Sequence, residues 1–205
     1  MVSPKQELRK TLRQQLAQLS PETFRNEGIR AAEFMAVFPP WQNASTVLLF
    51  LSAPGEIETA SLLDLAFKQG KKVFLPKVEG DIARFFRIKS AEGPWQTGAF
   101  GIREPLIEGP VLPEEFPQRA GETGKTEESP ALMVTPGMAF DRQGNRMGHG
   151  KGYYDKFFAK LDGLGVPYIR VAFCLEQQIL PEVPTEPWDK TMNAICSGAG
   201  LISIL

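Results

Sequence analysis

Four glycines fall at 144, 148, 150 and 152, and the last three alternate with His149 and Lys151. Glycine adopts backbone conformations that turn successive amides to one side, so this spacing leaves N–H groups free to face a ligand. Just upstream, the apolar run 131–134 stops at Thr135-Pro136-Gly137 and reads as a buried strand. From Tyr153 the pattern turns helical, with Tyr153, Phe157 and Leu161 four apart and Tyr154 and Phe158 beside them. The predicted order is strand, glycine loop, helix. The first N–H groups of a helix lack partners and its dipole favours negative charge there, so the loop is an anion site. Arg146 and Lys151 add two cations. Asp155, in the first helical turn, offers a hard oxygen to a magnesium ion carried in by a nucleotide phosphate. As such a ligand it should tolerate exchange for Asn without loss of folding.

The rest of the chain must hold that loop. Ser3, Pro4 and Gln6 form a helix start with a capping box, followed by a stripe of Leu8, Leu12, Leu16 and Leu19. Lys5 and Arg9, four apart on one face off that stripe, could reach a common anion. Ser20-Pro21 opens a second helix with Phe24, Ala31, Phe34, Met35 and Phe38 on its core face, ending at Pro39-Pro40. Residues 45–52 are continuously apolar at their centre, as in a parallel strand covered on both faces. Residues 53–58 follow its C-terminal end, where open α/β sheets bind ligands. Glu56 there either meets a ligand or compensates the dipole of a helix over 59–69. Gly70 closes that helix, and 73–76 supplies a second strand. Residues 85–88 read as an antiparallel edge strand, 166–173 as a central strand, and 192–196 and 201–205 as terminal strands. The expected fold is α/β, a single domain over 1–205 with a mostly parallel, mixed sheet sandwiched between helical layers.

Lys plus Arg number 23 against 24 Asp plus Glu, so no overall basic field exists to hold a nucleic-acid backbone. The longest apolar run, 47–51, falls far below the roughly 18 residues of a membrane span. No secretory apolar region follows the charged N-terminus. The expectation is a cytoplasmic monomer acting on small molecules, with neither nucleic acid nor membrane as partner. Cys174 and Cys196 read as small core hydrophobes. Residues 108–130, rich in Pro, Glu and Gly, read as an exposed loop insertion. Within it Gly124-Lys125-Thr126 imitates the end of a Walker A motif, but Arg119 stands where the first glycine belongs.

The stretch 136–158, PGMAFDRQGNRMGHGKGYYDKFF, resembles the signature of the 5-formyltetrahydrofolate cyclo-ligase family, also called 5,10-methenyltetrahydrofolate synthetase. Its most specific part is Gly-Lys-Gly-Tyr-Tyr-Asp at 150–155. The resemblance implies ATP-dependent closure of 5-formyltetrahydrofolate to 5,10-methenyltetrahydrofolate, with release of ADP and phosphate, through phosphorylation of the formyl oxygen. It implies a sheet similar to that of sugar-phosphate isomerases and CoA transferases. By the same resemblance, Lys5 and Arg9 contact ATP together with Arg146, Met147, Gly148, His149, Gly150, Lys151, Gly152, Tyr153 and Tyr154. Lys151 and Arg146 would carry catalysis, Leu51 and Glu56 would bind folate with residues 149–153, and Asp155 and Asp189 would hold Mg²⁺. The run 98–105 is similar to a Gly-Ile-x-Glu-Pro element of the family. Phe85, Phe86, Trp95 and Phe100 either line a pterin pocket or belong to the core. Two positions depart from the pattern: His149 stands where relatives often have Arg, and Asn193 where many have Asp. The alternatives are a non-catalytic nucleotide- or folate-binding regulator, and an isomerase or CoA-transferase-like enzyme on the same sheet.

Overall fold

The computed structural model describes residues 3–80, 82–98, 103–106 and 129–204, without the side chain of Arg103. The chain opens on α1 (Pro4–Leu16), where Ser3 and Gln6 exchange the two hydrogen bonds of a capping box, and Leu12 and Leu16 are buried. A second helix, α2 (Pro21–Ala36), is capped by the Ser20 hydroxyl, which accepts from the Thr23 amide at 3.1 Å. Its buried stripe is Gly28, Ala31, Ala32 and Met35, at the i, i+3, i+4, i+7 positions of one face. Phe34 lies off that stripe and is 39% exposed, which corrects its expected place in the core. Pro39 and Pro40 do not simply end the helix. They occupy the first turn of a new short one, α3 (Pro39–Asn43), where a missing N–H costs nothing.

Then follow β1 (Thr46–Leu48), α4 (Ala60–Lys68), β2 (Lys72–Glu79), β3 (Ile82–Ile88), β4 (Trp95–Thr97) and β5 (Arg103–Pro105). The remaining elements are β6 (Ala131–Thr135), β7 (Ala139–Asp141), β8 (Arg146–Met147), α5 (Tyr153–Gly163), β9 (Tyr168–Phe173), β10 (Ile179–Leu180), β11 (Ala194–Ser197) and β12 (Gly200–Ser203). The main sheet has the order β12-β11-β9-β6-β1-β2-β3. Its strands from β11 to β2 are parallel, and β3 and β12 run antiparallel at the two edges. The mixed, mostly parallel α/β sheet is therefore the expected one.

Alternate residues of each central strand enter opposite cores. Val47, Leu132, Val134, Val171, Phe173, Ala194 and Cys196 face the side packed by α1, α2 and α4. Leu48, Met133, Ala172 and Ile195 face α5 through Phe157, Phe158 and Leu161. Burial on both faces is why these strands read as unbroken apolar runs. The two cysteines sit in opposite cores, Cys196 with its thiol donating to the Ala31 carbonyl at 3.2 Å. Both are core residues, as expected.

Between β6 and α5 the sequence predicts only a loop, whereas the chain forms the hairpin β7–β8, with β10 added in parallel to β7. Strands of two and three residues are too short for alternation to register. The hairpin is held by Asp141, whose buried carboxylate accepts from the amides of Gln143, Asn145 and Val183 and from the Asn145 side chain. Most of the expected 108–130 insertion, together with Gly124-Lys125-Thr126 and Phe100, lies outside the described residues. Among the described residues no helix is long and apolar enough to cross a membrane.

Gly28 lets α2 approach the segment after β1. A Cβ there would lie 2.2 Å from the Glu58 backbone oxygen, and the Glu58 amide donates to the Phe24 carbonyl at 3.2 Å. Gly28→Ala must push that segment, and Glu56 with it. The expected cost is about 1–3 kcal/mol, the usual range for overpacking. Thermal unfolding should show a fall of roughly 2–4 °C per kcal/mol; an unchanged midpoint would refute the contact.

Candidate active site

Strands β1 and β6 are parallel neighbours, but the chain leaves them in opposite directions. From β1 it crosses through α4 to β2, and from β6 through α5 to β9, on the other side. Such a reversal opens a crevice beyond the C-terminal ends of the two strands. A cleft of about 930 Å³ lies there, bordered by Phe50, Leu51 and residues 53–56 after β1, by Pro136 and Met138 after β6, and by α1 and the glycine loop.

One end of the cleft is cationic. Lys5, Arg9 and Arg13 border it from successive turns of α1. Arg9 Nε donates to the Gly148 carbonyl at 2.8 Å, and its guanidinium lies over Gly150, where a Cβ would be 3.6 Å from Cζ. Lys5 Nζ donates to Glu186 Oε2 at 2.7 Å and to Asp189 Oδ2 at 2.6 Å, tying the start of α1 to the loop before β11. Burial pulls the Lys5 pKa down, but the two carboxylates outweigh it and the net shift is upward. Lys151 is exposed and holds no ion pair among the described residues. Gly152 is the N-cap of α5 with φ +69°, no side chain among the described residues caps this helix start, and residues 152–156 border the cleft, which suits its first amides to an anion.

Arg146 is buried. Its Nε donates to the Pro136 carbonyl at 3.0 Å, a terminal nitrogen donates to Asp155 Oδ1 at 3.1 Å, and Cζ stands 5.4 Å from the centre of the Tyr154 ring. Burial pulls its pKa down and the Asp155 charge opposes that. The guanidinium is thus a fixed charge, and Arg146 borders the cleft together with the glycine loop. Met147 is buried in the core and does not border the cleft. Gly144 also leaves the expected ligand-facing set. It turns the β7–β8 hairpin, and a Cβ there would lie 2.6 Å from the Met192 carbonyl. Gly148, His149, Gly150, Lys151, Gly152, Tyr153 and Tyr154 do meet in the cleft with Leu51, Glu56, Asp155 and Asp189.

At the other end the walls are apolar, formed by Phe50, Leu51, Pro76, Val78 and Ala83, and two carboxyl groups stand among them. Glu104 is buried and accepts from the Val78 amide at 3.3 Å. Glu56 accepts from the Ala53 amide at 2.9 Å, and burial pushes its pKa up to about 7 against that hydrogen bond. It does not serve α4, whose N-cap is Thr59. Burial, then the Glu56 charge, also raises the pKa of the Tyr154 phenol. Phe85 packs on Phe157 with ring centres 4.5 Å apart, Phe86 is buried, and Trp95 borders a separate smaller hollow. Of the aromatics proposed for a pterin pocket, the described ones do not border this cleft. Arg13, Glu104 and Trp188 do, none of them expected at the site; Arg13 had a signal in its i+4 spacing from Arg9, and Glu104 in the 98–105 run.

Among the described residues no three His, Cys, Asp or Glu side chains converge as a metal cage. Asp155 and Asp189 both border the cleft, each with one oxygen engaged by a cation. Two such carboxylates suit an ion that arrives on phosphate and keeps several waters.

A model of the 5-formyltetrahydrofolate cyclo-ligase family matches residues 2–198. The chain belongs to that family. It is 30% identical to the mouse 5-formyltetrahydrofolate cyclo-ligase over 198 residues, covering 94% of this chain and 93% of the relative. Identity to the cyclo-ligase of Escherichia coli K12 is 28% over 187 residues, covering 90% and 94%. The solution structure of the 5,10-methenyltetrahydrofolate synthetase of Aquifex aeolicus superposes with a TM-score of 0.77 at 27% identity, covering 98% of this chain and 93% of that one. Cyclo-ligase family membership therefore extends over both ends of the cleft.

Proposed function

We propose that this protein closes 5-formyltetrahydrofolate to 5,10-methenyltetrahydrofolate at the expense of ATP, working as a cytoplasmic one-domain enzyme over 1–205. The observation that carries the reading is the polarity of the cleft. The start of α5, Arg9 and Lys151 gather at one end, and an apolar wall holding Glu56 stands at the other.

The chemistry needs both ends at once. An amide-like formyl oxygen is a poor leaving group; taking the γ-phosphoryl group makes it a good one. Folate N10 then attacks the formyl carbon, the C–O bond breaks, phosphate departs, and the N10 proton passes to solvent. The protein has little covalent work in such a transfer. It must align the phosphoryl group with the formyl oxygen and oppose the charge that develops. On this reading Lys5, Arg9 and the amides of residues 148–154 hold ATP, with Met147 seating the loop from the core. Lys151 opposes charge on the moving group, and Arg146, fixed in the cleft wall, adds its field. Leu51 and Glu56 receive the pterin. Asp155 and Asp189 would hold Mg²⁺, which when bound neutralises charge on the β- and γ-phosphates.

Incubating the protein with 5-formyltetrahydrofolate, with and without Mg-ATP, and following the near-ultraviolet absorbance of the methenyl product tests the proposal. Product only with Mg-ATP is expected; none under any condition would refute it. Arg9→Ala removes a charged phosphate donor worth about 1.5–3 kcal/mol. It should raise the KM for ATP by roughly 10- to 100-fold while changing kcat much less. A variant with an unchanged KM for ATP would place the phosphates elsewhere.

A further inference from the structure

One contact joins the two ends of the cleft. His149 Nε2, on the glycine loop, lies 3.4 Å from Glu56 Oε1, on the segment after β1. We propose that the side chain at loop position 149, beside Glu56, governs through its charge how Glu56 receives its ligand near neutral pH, the uncharged His149 leaving that carboxyl group without a counter-charge. The inference rests on reading the cleft as a site for 5-formyltetrahydrofolate.

The surroundings of each partner decide how the contact behaves. Facing His149 are Arg146 from β8 and Arg13 and Arg9 from α1. Burial, then these three charges, hold the imidazole pKa down to about 4. Facing Glu56 are His149 and, from the first turn of α5, Tyr154, while Glu104 borders the same cleft. Its carboxyl group, pushed by burial to about 7, passes from acid to carboxylate across neutrality. The imidazole beside it is uncharged throughout that range and supplies no counter-charge. An arginine at 149 would keep its charge at every such pH and draw the carboxyl group into its ionised form.

A pterin presents adjacent N–H donors. An ionised carboxylate accepts with both oxygens, whereas the acid form turns one of them into a donor. The sign follows: Glu56 is receptive above its pKa, and affinity is lost as pH falls through it.

The test is calorimetric titration of the full chain with 5-formyltetrahydrofolate, without nucleotide, between pH 5.5 and 8.5. For the wild type, affinity should fall about tenfold per pH unit below a midpoint near 7. His149→Arg should move that midpoint down by about one unit or more, binding several-fold tighter at pH 6 and equally at pH 8. His149→Gln, uncharged, should keep the wild-type midpoint, and Glu56→Gln should abolish the pH dependence. Coincident profiles for wild type and His149→Arg, or equal displacement by Gln and Arg, would overturn the proposal. Absence of binding by the wild type at any pH is a different failure, which removes the cyclo-ligase reading and this inference with it.

Discussion

Replacing Lys151 with alanine is expected to cut turnover by roughly 10²- to 10³-fold, the usual loss when one preorganised donor to a transition state is removed. The surroundings of this side chain set the expectation. Arg146 is buried against Asp155, Lys5 is held by Glu186 and Asp189, and Arg9 is partly engaged by the Gly148 carbonyl. Lys151 alone in this group is exposed and holds no ion pair among the described residues. On the proposed reading, a cation left unengaged at the start of α5 can follow the γ-phosphoryl group as it passes from ADP to the formyl oxygen. Exposure also means that removing it disturbs no packing, so thermal stability should be unchanged. Wild-type turnover in Lys151→Ala would reduce Lys151 to a solvated loop residue.

Asp155→Asn should lose most activity at low magnesium and regain part of it as magnesium is raised, because a neutral amide is a weaker ligand than a carboxylate for a hard cation. The structure adds a second, smaller effect on stability to the expectation that the variant folds. Asp155 Oδ1 accepts from Arg146, whose side chain is only 5% exposed. Breaking a fully buried pair costs about 3–5 kcal/mol. Asp155 is itself 31% exposed, so water screens the pair. Asn also keeps an oxygen for Arg146, so a loss nearer 1–2 kcal/mol is expected. The two effects separate experimentally. Loss of stability shows in thermal unfolding without magnesium, and the ligand role shows in the magnesium titration of activity at a temperature where the variant is folded. A variant that loses stability but matches the wild type across the titration would leave Asp155 with the structural role alone.

These corrections show what a sequence reveals. Residues 131–134 could be read as a central strand because burial on both faces leaves an unbroken apolar run; the same pattern over 45–52 marked a strand that in fact ends at Leu48, with the apolar residues beyond it packed in the core as irregular chain. Capping at Ser3 and Ser20 was equally plain, since it depends on residues within one turn. The turn from glycine loop to helix at Gly152 could be read for the same local reason. Contacts between distant segments could not. Gly144 looks like its neighbours until the Met192 carbonyl is seen against it, and Arg146 looks like a free cation until Pro136 and Asp155 enclose it. The ties from Lys5 to Glu186 and Asp189 span 181 and 184 positions, beyond any spacing rule.

That last tie has a consequence in solution. Any polyanion drawn to the start of α1 competes with two carboxylates already seated on Lys5. If a triphosphate binds there as proposed, added salt acts in opposite senses: it weakens attraction between the cleft and the triphosphate, and it loosens the carboxylate clasp on Lys5 that the ligand would displace. The Debye length is about 8 Å near physiological ionic strength, longer than either clasp distance, so the first effect sets in earlier than the second. Affinity for a triphosphate should consequently fall less steeply with salt than the cations of α1 and the loop alone would dictate. Neutralising Glu186, which is more exposed than Asp189, should restore the steeper dependence.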